Sequence, residues 1–277
     1  MSEPLKLLPD DEFNRKLVSN VHPPDWRNPE PAPVYNLIAI GGGAAGLVAA
    51  AGAAGLGAKS ALIERHLLGG DCLNVGCVPS KTLIRAARAA HEVARAAEFG
   101  IEIPPPTIDF GRVMARVRGV RAEISAHDAA TRFRDLGVDL FLGEARFLDR
   151  NTIEVDGKKL RFKKAVIATG ARAILPPIPG LAEVGALTNE TVFSLTERPA
   201  HLAVLGAGPI GCELAQAFRR LGSRVTLIEI MDQILIREDP DAAGIVRRSL
   251  RRDGVEIVLG ARVGRVSRQG ESKVLHL

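Results

Sequence analysis

The chain has 277 residues, enough for two domains of ordinary size, and its 46% hydrophobic and 25% charged residues are the balance of a globular protein rather than a disordered one. The net charge of +5 comes from Lys and Arg scattered along predicted helices, and with one Trp and one Tyr to stack on bases the excess does not point to nucleic acid. Three cysteines are too few for a secreted disulfide framework, and no basic-then-apolar leader precedes a cleavage site, so a reducing cytoplasm is the expected setting.

Residues 1–33 are polar and rich in proline, which predicts an extended N-terminal arm. From residue 34 the pattern changes. Leu37, Ile38, Ala39 and Ile40 form an apolar run expected of a parallel strand buried on both faces, residues 41–46 a glycine turn, residues 47–56 a helix and residues 60–64 a second strand. The 22 residues from Leu37 to Ala58 carry no charge and could be read as a membrane span, but seven of them are glycine and three of those are consecutive, which suits a turn better. Helical stretches are expected over 81–97 and 110–136, with a proline break at 104–106 between them. A hairpin is expected from Ile153–Val155 to Arg161–Phe162 around Asp156 and Gly157, followed by a separate buried strand over 165–168. The prolines at 176, 177 and 179 mark the link between a first domain, 34–178, and a second, 179–277.

The stretch starting at His201 repeats the first unit at a constant offset of 165 residues. Gly41, Gly43 and Gly46 fall on Gly206, Gly208 and Gly211, and Glu64 falls on Glu229. The second copy's helix carries Glu213, Arg219 and Arg220, which also disposes of the membrane reading. In such a strand, turn and helix unit the first glycine permits the tight turn, the second lets the backbone approach a pyrophosphate, and the third lets helix and strand pack closely. An acid about 20 residues on is suited to a ribose hydroxyl. Both copies therefore read as dinucleotide sites. Glu229 favours an unphosphorylated ribose, hence NADH over NADPH, in the second.

Cys72 and Cys77 lie in the run Gly69-Gly70-Asp71-Cys72-Leu73-Asn74-Val75-Gly76-Cys77-Val78-Pro79-Ser80-Lys81. Residues five apart on a regular helix point well away from each other, so a bond between them needs the irregularity that Gly76 and Pro79 supply. If Pro79 lies in the first turn of a helix, Cys77 sits at that helix's N-terminus, where the dipole favours a thiolate. Two buried thiols or part of a zinc site are the alternatives, although no further cysteine or well-spaced histidine is near enough in sequence to complete tetrahedral zinc, and no metal site is expected.

This run, with the paired glycine turns, resembles the pyridine nucleotide-disulfide oxidoreductases, among them lipoamide dehydrogenase, glutathione reductase and mercuric-reductase-like flavoproteins. The resemblance covers the chain from about Tyr35 onward. It implies an α/β fold of two Rossmann-like domains, FAD-binding and NAD(P)-binding, the second inserted in the first. It places FAD on Gly41, Gly43, Ala44, Gly46, Glu64, Arg65, Gly70, Asp71, Ala145, Thr169 and Gly170. The nicotinamide dinucleotide, NADH or NADPH, falls on Gly206, Gly208, Pro209, Ile210, Gly211 and Glu229. Cys72 and Cys77 correspond to the family's redox disulfide, Cys72 exchanging with substrate and Cys77 facing the flavin, and Lys81 and Glu213 correspond to an ion pair beside the flavin. Cys212 has no counterpart and reads as packing, and His22-Pro23 is assigned no catalysis.

The implied activity is passage of electrons from the nicotinamide through the flavin to the cysteine pair, and on to a small disulfide or metal-ion substrate. The alternatives are a dihydrolipoamide dehydrogenase-type enzyme, a cofactor-binding fragment that turns nothing over, and a redox-sensing module. Family members are homodimers whose C-terminal dimer domain supplies a His and a Glu to the partner's dithiol, and that domain is expected to be absent here. Extra cysteine pairs that handle mercury are not found, which argues against mercury as the substrate.

Overall fold

A computed structural model describes residues 7–104 and 106–277. In chain order the elements are α1 (Glu12–Val21), β1 (Tyr35–Ile40), α2 (Ala44–Gly55), β2 (Ser60–Glu64), α3 (Gly70–Asn74), α4 (Cys77–Ala94), α5 (Phe110–Ile124), α6 (Ala130–Asp135), β3 (Val138–Leu142), β4 (Arg146–Asp149), β5 (Thr152–Val155), β6 (Lys158–Ile167), α7 (Asn189–Val192), β7 (His201–Leu205), α8 (Pro209–Arg220), β8 (Arg224–Ile228), α9 (Pro240–Arg252), β9 (Glu256–Val258), β10 (Arg265–Gln269) and β11 (Ser272–His276). The described chain divides into two compact units, one of residues 7–79 with 115–172, the other of 80–114 with 173–277.

The first unit is built on a six-stranded sheet of order β3-β2-β1-β6-β5-β4, in which β1, β2, β3 and β6 pair in parallel and β4–β5–β6 form an antiparallel extension. Strand β2 follows β1 on one side while β6 lies on the other, so the chain reverses its winding at the C-terminal end of β1. Open α/β sheets form their ligand crevices at such a switch point. One sheet face packs Ala39, Leu62 and Leu140 with Leu47 of α2 and Leu17, Val18 and Val21 of α1, and the other buries Tyr35, Ile38, Phe141 and Phe162.

Helix α1 corrects the expectation of an extended arm. Asp11 caps it by accepting from the Asn14 amide at 2.9 Å, and its apolar spacing, Phe13, Leu17, Val18 and Val21, turns one stripe to the sheet. All five prolines of the 23–33 stretch come after it, so the average composition of 1–33 hid a ten-residue amphipathic helix. Beyond the helix the segment runs along the edge strand β3. The Asn28 side chain donates to Leu142 O at 2.9 Å and accepts from Leu142 N at 2.8 Å, as a neighbouring strand would, and Trp26 Nε1 donates to Leu140 O at 3.3 Å.

Three smaller corrections concern boundaries. Helix α2 begins at Ala44, directly after the second glycine, rather than at Leu47. The stretch 110–136 is broken between α5 and α6 by a short 3-10 turn at Ser125–Asp128. The strand over 165–168 is the end of one ten-residue strand, β6, and it is not buried, since Ile167 is 69% exposed. The hairpin between β5 and β6 turns through Asp156 and Gly157, both at positive φ.

The second unit holds a parallel sheet, β7-β8-β9, and a separate antiparallel pair, β10-β11. Residues 80–114 pack with this unit, whereas the prolines near 176 had suggested a single crossing there. A buried carboxylate accounts for part of that attachment: Asp253, whose side chain is 3% exposed, accepts from Arg220 at 2.8 Å, from Gln216 Nε2 at 2.6 Å and lies 3.3 Å from His91 Nδ1 of α4. Burial holds the His91 imidazole below its ordinary pKa, so the Arg220 guanidinium and the Gln216 amide carry the pairing of the acid at neutral pH.

Candidate functional site

Both glycine turns are built the same way. Gly41 and Gly206 adopt φ +107° and +99°, conformations that L side chains rarely take. A Cβ on Gly46 would lie 1.8 Å from the carbonyl oxygen of Gly41, and one on Gly211 would lie 2.1 Å from that of Gly206. The third glycine is therefore a steric demand in each copy: the helix passes so close to the start of the turn that only hydrogen fits.

The helices that follow are left with free donors at their first turns. No described side chain caps α2 or α8, whereas α1, α7 and α9 are capped by Asp11, Thr188 and Asp239. Pro209 occupies the first position of α8, where its missing N–H costs nothing. Uncapped N–H groups and the positive end of a helix dipole suit a phosphate.

The two acids also match. Glu64 accepts from Gly42 N at 2.6 Å and from His66 N at 2.7 Å; Glu229 accepts from Ala207 N at 2.7 Å and from Met231 N at 3.0 Å. Each carboxylate is thus tied to the second residue of its turn, at the end of its strand, where the sequence expectation put a ribose-binding group.

Of the other expected residues, Thr169 and Gly70 come close to the first turn. Ala168 and Thr169, at the end of β6, back onto Gly41 so closely that a Cβ there would lie 2.2 Å from Ala168 O. Gly69 N donates to Gly42 O at 2.8 Å, and a Cβ on Gly70 would lie 2.7 Å from Gly43 Cα. The loop that carries the cysteines is in this way seated on the turn. Gly143 N donates to Glu64 O at 2.8 Å, and Ala145 packs against the β1–β6 core. Arg65 lies 4.0 Å from Glu144 on the surface. Gly170 follows Thr169 at positive φ.

Cys72 lies in α3 and Cys77 is the first residue of α4, with Val75 and Gly76 between the two helices. Gly76 permits the fold-back: its Cβ would lie 2.8 Å from Asp71 O. Both cysteines are exposed and neither is in a disulfide, and the Cys72 thiol is hydrogen-bonded to Cys77. That bond, reinforced by partial burial, pushes the Cys72 thiol up to about 11. The neighbouring charge of Asp128 acts in the same direction.

Asp128 is a residue the sequence reasoning missed. It sits in the turn between α5 and α6, its Oδ2 only 2.9 Å from where a Cβ on Gly69 would be, and burial raises its own carboxyl pKa. Nothing local in the sequence marks it. Cys212 is buried and its Sγ donates to Ala207 O at 3.4 Å; burial lifts that thiol to about 11, in keeping with a packing role.

In the second unit Lys81 Nζ and Glu213 Oε2 meet at 2.6 Å across α4 and α8, the pair expected from residues 132 positions apart. The groove between the two helices is lined by Ile84, Ala87, Gln216 and Arg220 as well. Ile210, in the first turn of α8, is exposed. Among the described residues no three His, Cys, Asp or Glu side chains converge as a metal ligand set, and no helix is long and apolar enough to cross a membrane.

Two glycine-turn units on parallel sheets, with a vicinal thiol pair seated on the first, define a dinucleotide-binding α/β protein of the flavoprotein disulfide reductase class. The pyridine nucleotide-disulphide oxidoreductase family model matches residues 35–277, and the chain belongs to that family, whose members are FAD-dependent and use NAD(P)H. It is 38% identical over 243 residues to a mercuric reductase of Bacillus cereus, which covers 88% of this chain and 38% of that protein. It is 36% identical over 237 residues to a dihydrolipoyl dehydrogenase of Acholeplasma laidlawii, covering 84% of this chain and 70% of that one. Among solved structures, the HOCl-induced flavoprotein disulfide reductase RclA from Escherichia coli superposes with a TM-score of 0.76 at 33% identity, covering 87% of this chain and 53% of RclA. The chain spans less than half of the first two curated relatives it matches.

Proposed function

We propose that this chain is the cofactor and dithiol part of an NADH-dependent oxidoreductase: FAD at the first glycine turn, NADH at the second, and Cys72 with Cys77 delivering two electrons to a small disulfide or a soft metal ion. The observation that carries this reading is the seat of the thiol pair, hydrogen-bonded to each other on a loop whose Gly69 and Gly70 rest against Gly42 and Gly43. The first turn fits a dinucleotide because Gly41, Gly46 and Gly70 leave a cradle that any Cβ would fill and because the first turn of α2 carries no side-chain cap.

When bound, FAD takes a hydride from a dihydronicotinamide and passes an electron pair to a disulfide. Glu64 would hold a ribose hydroxyl, the amides of Gly43 and Ala44 the pyrophosphate, and Arg65, Asp71, Ala145, Thr169 and Gly170 the walls. Glu229 selects NADH, since a 2′-phosphate beside its carboxylate would meet like charge. In the reduced pair Cys72 attacks one sulfur of the substrate disulfide and forms a mixed disulfide as the first substrate thiol leaves. Cys77 then displaces the second, closing the Cys72–Cys77 bond, and the pair's two protons depart with the two product thiols. A divalent soft ion would instead bind both sulfurs with release of their two protons to solvent, and leave reduced by two electrons as the Cys72–Cys77 bond closes. Cytoplasmic residence and a homodimeric whole protein belong to the same proposal. The identity with a dihydrolipoyl dehydrogenase favours a second substrate reading, a dihydrolipoyl thiol pair.

Purified protein reconstituted with FAD is expected to be yellow and to bleach when NADH is added without oxygen. Colourless protein, or colour indifferent to NADH, would leave only a cofactor-binding fragment. Replacing Lys81 by Met tests the ion pair. Its partners are 59% and 43% exposed, so stability should change by less than about 1 kcal/mol, while bleaching by NADH slows roughly tenfold as a fixed positive charge is lost. Equal bleaching rates in stopped flow would remove Lys81 from the site.

A further inference from the structure

We propose that the N-terminal segment, which precedes the family match at residue 35, is a positioning element for the first dinucleotide site, and that His22 is its point of action. The inference rests on the assignment of the first turn to FAD. His22 Nδ1 is hydrogen-bonded to the carbonyl oxygen of His66, and because a carbonyl only accepts, Nδ1 carries the proton. The amide of the same residue, His66, donates to Glu64 Oε1, and the other Glu64 oxygen accepts from Gly42. A line of hydrogen bonds therefore runs from the N-terminal segment through His66 to the acid and the glycine turn.

Packing follows the same route. Val21 O accepts from Leu68 N at 3.2 Å, and Leu68, fully buried in the cluster that holds Leu17, Val18 and Val21, reaches Gly42 so closely that a Cβ there would lie 2.6 Å from its Cδ2. The segment is itself anchored. Asp11 pairs with the buried Arg118, Asn14 accepts from Arg121 at 3.2 Å, Asn20 donates to Ser125 at 2.8 Å, and Asn28 is bonded to β3. A group held this firmly at both ends can fix the position of what it touches.

The internal repeat supplies the strongest argument. In the second copy the counterpart of His66 is Met231, and its carbonyl accepts from Gly260 N at 2.9 Å. The counterpart of Gly42 is Ala207, whose carbonyl accepts from Leu235 N at 2.8 Å, as that of Gly42 accepts from Gly69 N. Both copies thus satisfy the same two carbonyls around the acid. The second does so with backbone from its own unit's later loops, whereas the first takes the donor for His66 from the N-terminal segment.

The test uses the full chain stripped of flavin, with FAD affinity read by flavin fluorescence, NADH affinity as an internal reference and thermal melting as a check on folding. His22→Phe keeps the ring and removes the donor; His22→Asn keeps an N–H near the same place. We expect His22→Phe to weaken FAD about tenfold with NADH affinity unchanged, and His22→Asn to recover most of the loss. In a cycle with Glu64→Gln the double variant should bind FAD no more weakly than Glu64→Gln alone, because the two residues act in series. Unchanged FAD affinity in His22→Phe, equal loss at both sites with a fall in melting temperature, or additive effects in the cycle would overturn the proposal. If Glu64→Gln itself leaves FAD affinity intact, the assignment of the first turn falls and takes the proposal with it, an outcome distinct from the others.

Discussion

Gly46→Ala is expected to abolish flavin binding and to destabilise the first unit by about 4 kcal/mol, although it adds a single methyl group to a helix. The added carbon would stand 1.8 Å from the Gly41 carbonyl oxygen. Neither side can yield cheaply: the obstacle is backbone, and Gly41 is held from behind by Ala168 and Thr169 at a φ of +107°. Helix α2 contains its own control. Gly52, six residues along, has nothing within 4 Å of where a methyl group would stand, so Gly52→Ala should stabilise by about 0.5–1 kcal/mol through helix propensity alone. Gly211→Ala should reproduce the first effect at the second site, with FAD retained and NADH affinity lost. Urea denaturation and the two affinities measure all three variants, and a Gly46→Ala protein that still binds FAD tightly would show that the turn is not the cofactor's cradle.

Cys77→Ala is expected to make the remaining cysteine more reactive, not less. In the native pair the Cys72 thiol is held at about 11, first by its hydrogen bond to Cys77 and next by burial. Removing the partner sulfur removes the largest cause and a coulombic one, which drops the midpoint toward the ordinary thiol value of 9.0. Only the thiolate is alkylated, and because burial and Asp128 still act on Cys72, the gain in thiolate below pH 9 should be several-fold or more but short of the roughly hundredfold that a full return to 9.0 would give. The rate of carbamidomethylation of Cys72 against pH, followed by mass spectrometry in reduced protein, should therefore shift its midpoint down in Cys77→Ala. A midpoint that stays near 11 would place the cause in burial and Asp128 instead. Cys72→Ala provides the reciprocal experiment, in which loss of dithiol chemistry is expected while the fold of the loop is kept by Gly69 and Gly70.

What could be read from the residues alone depended on whether the physical demand was local. The glycine turns were legible because the third glycine of each, Gly46 and Gly211, answers a clash with the residue five positions before it, and the repeat at 165 residues showed that the demand occurs twice. The pairing of Lys81 with Glu213 was legible only by resemblance, since nothing in either neighbourhood announces a partner 132 residues away. Helix α1 was missed because the prolines after it dominated the composition of the segment, although Asp11 followed by Leu17, Val18 and Val21 carried the signal of a capped amphipathic helix. Asp128 and the membership of residues 80–114 in the second unit were not legible at all. They depend on contacts with Gly69 in one case and on Asp253 and Glu213 in the other, which only the finished fold brings near.

The side chain of Asn28 has a consequence for how this protein behaves at high concentration. Strand β3 ends the sheet on its side, and a bare strand there is a template on which a second molecule could stack and begin a fibre. Asn28 occupies both the N–H and the C=O of Leu142, and Trp26 takes the carbonyl of Leu140, so three of the edge groups a newcomer would use are already engaged from within the same chain.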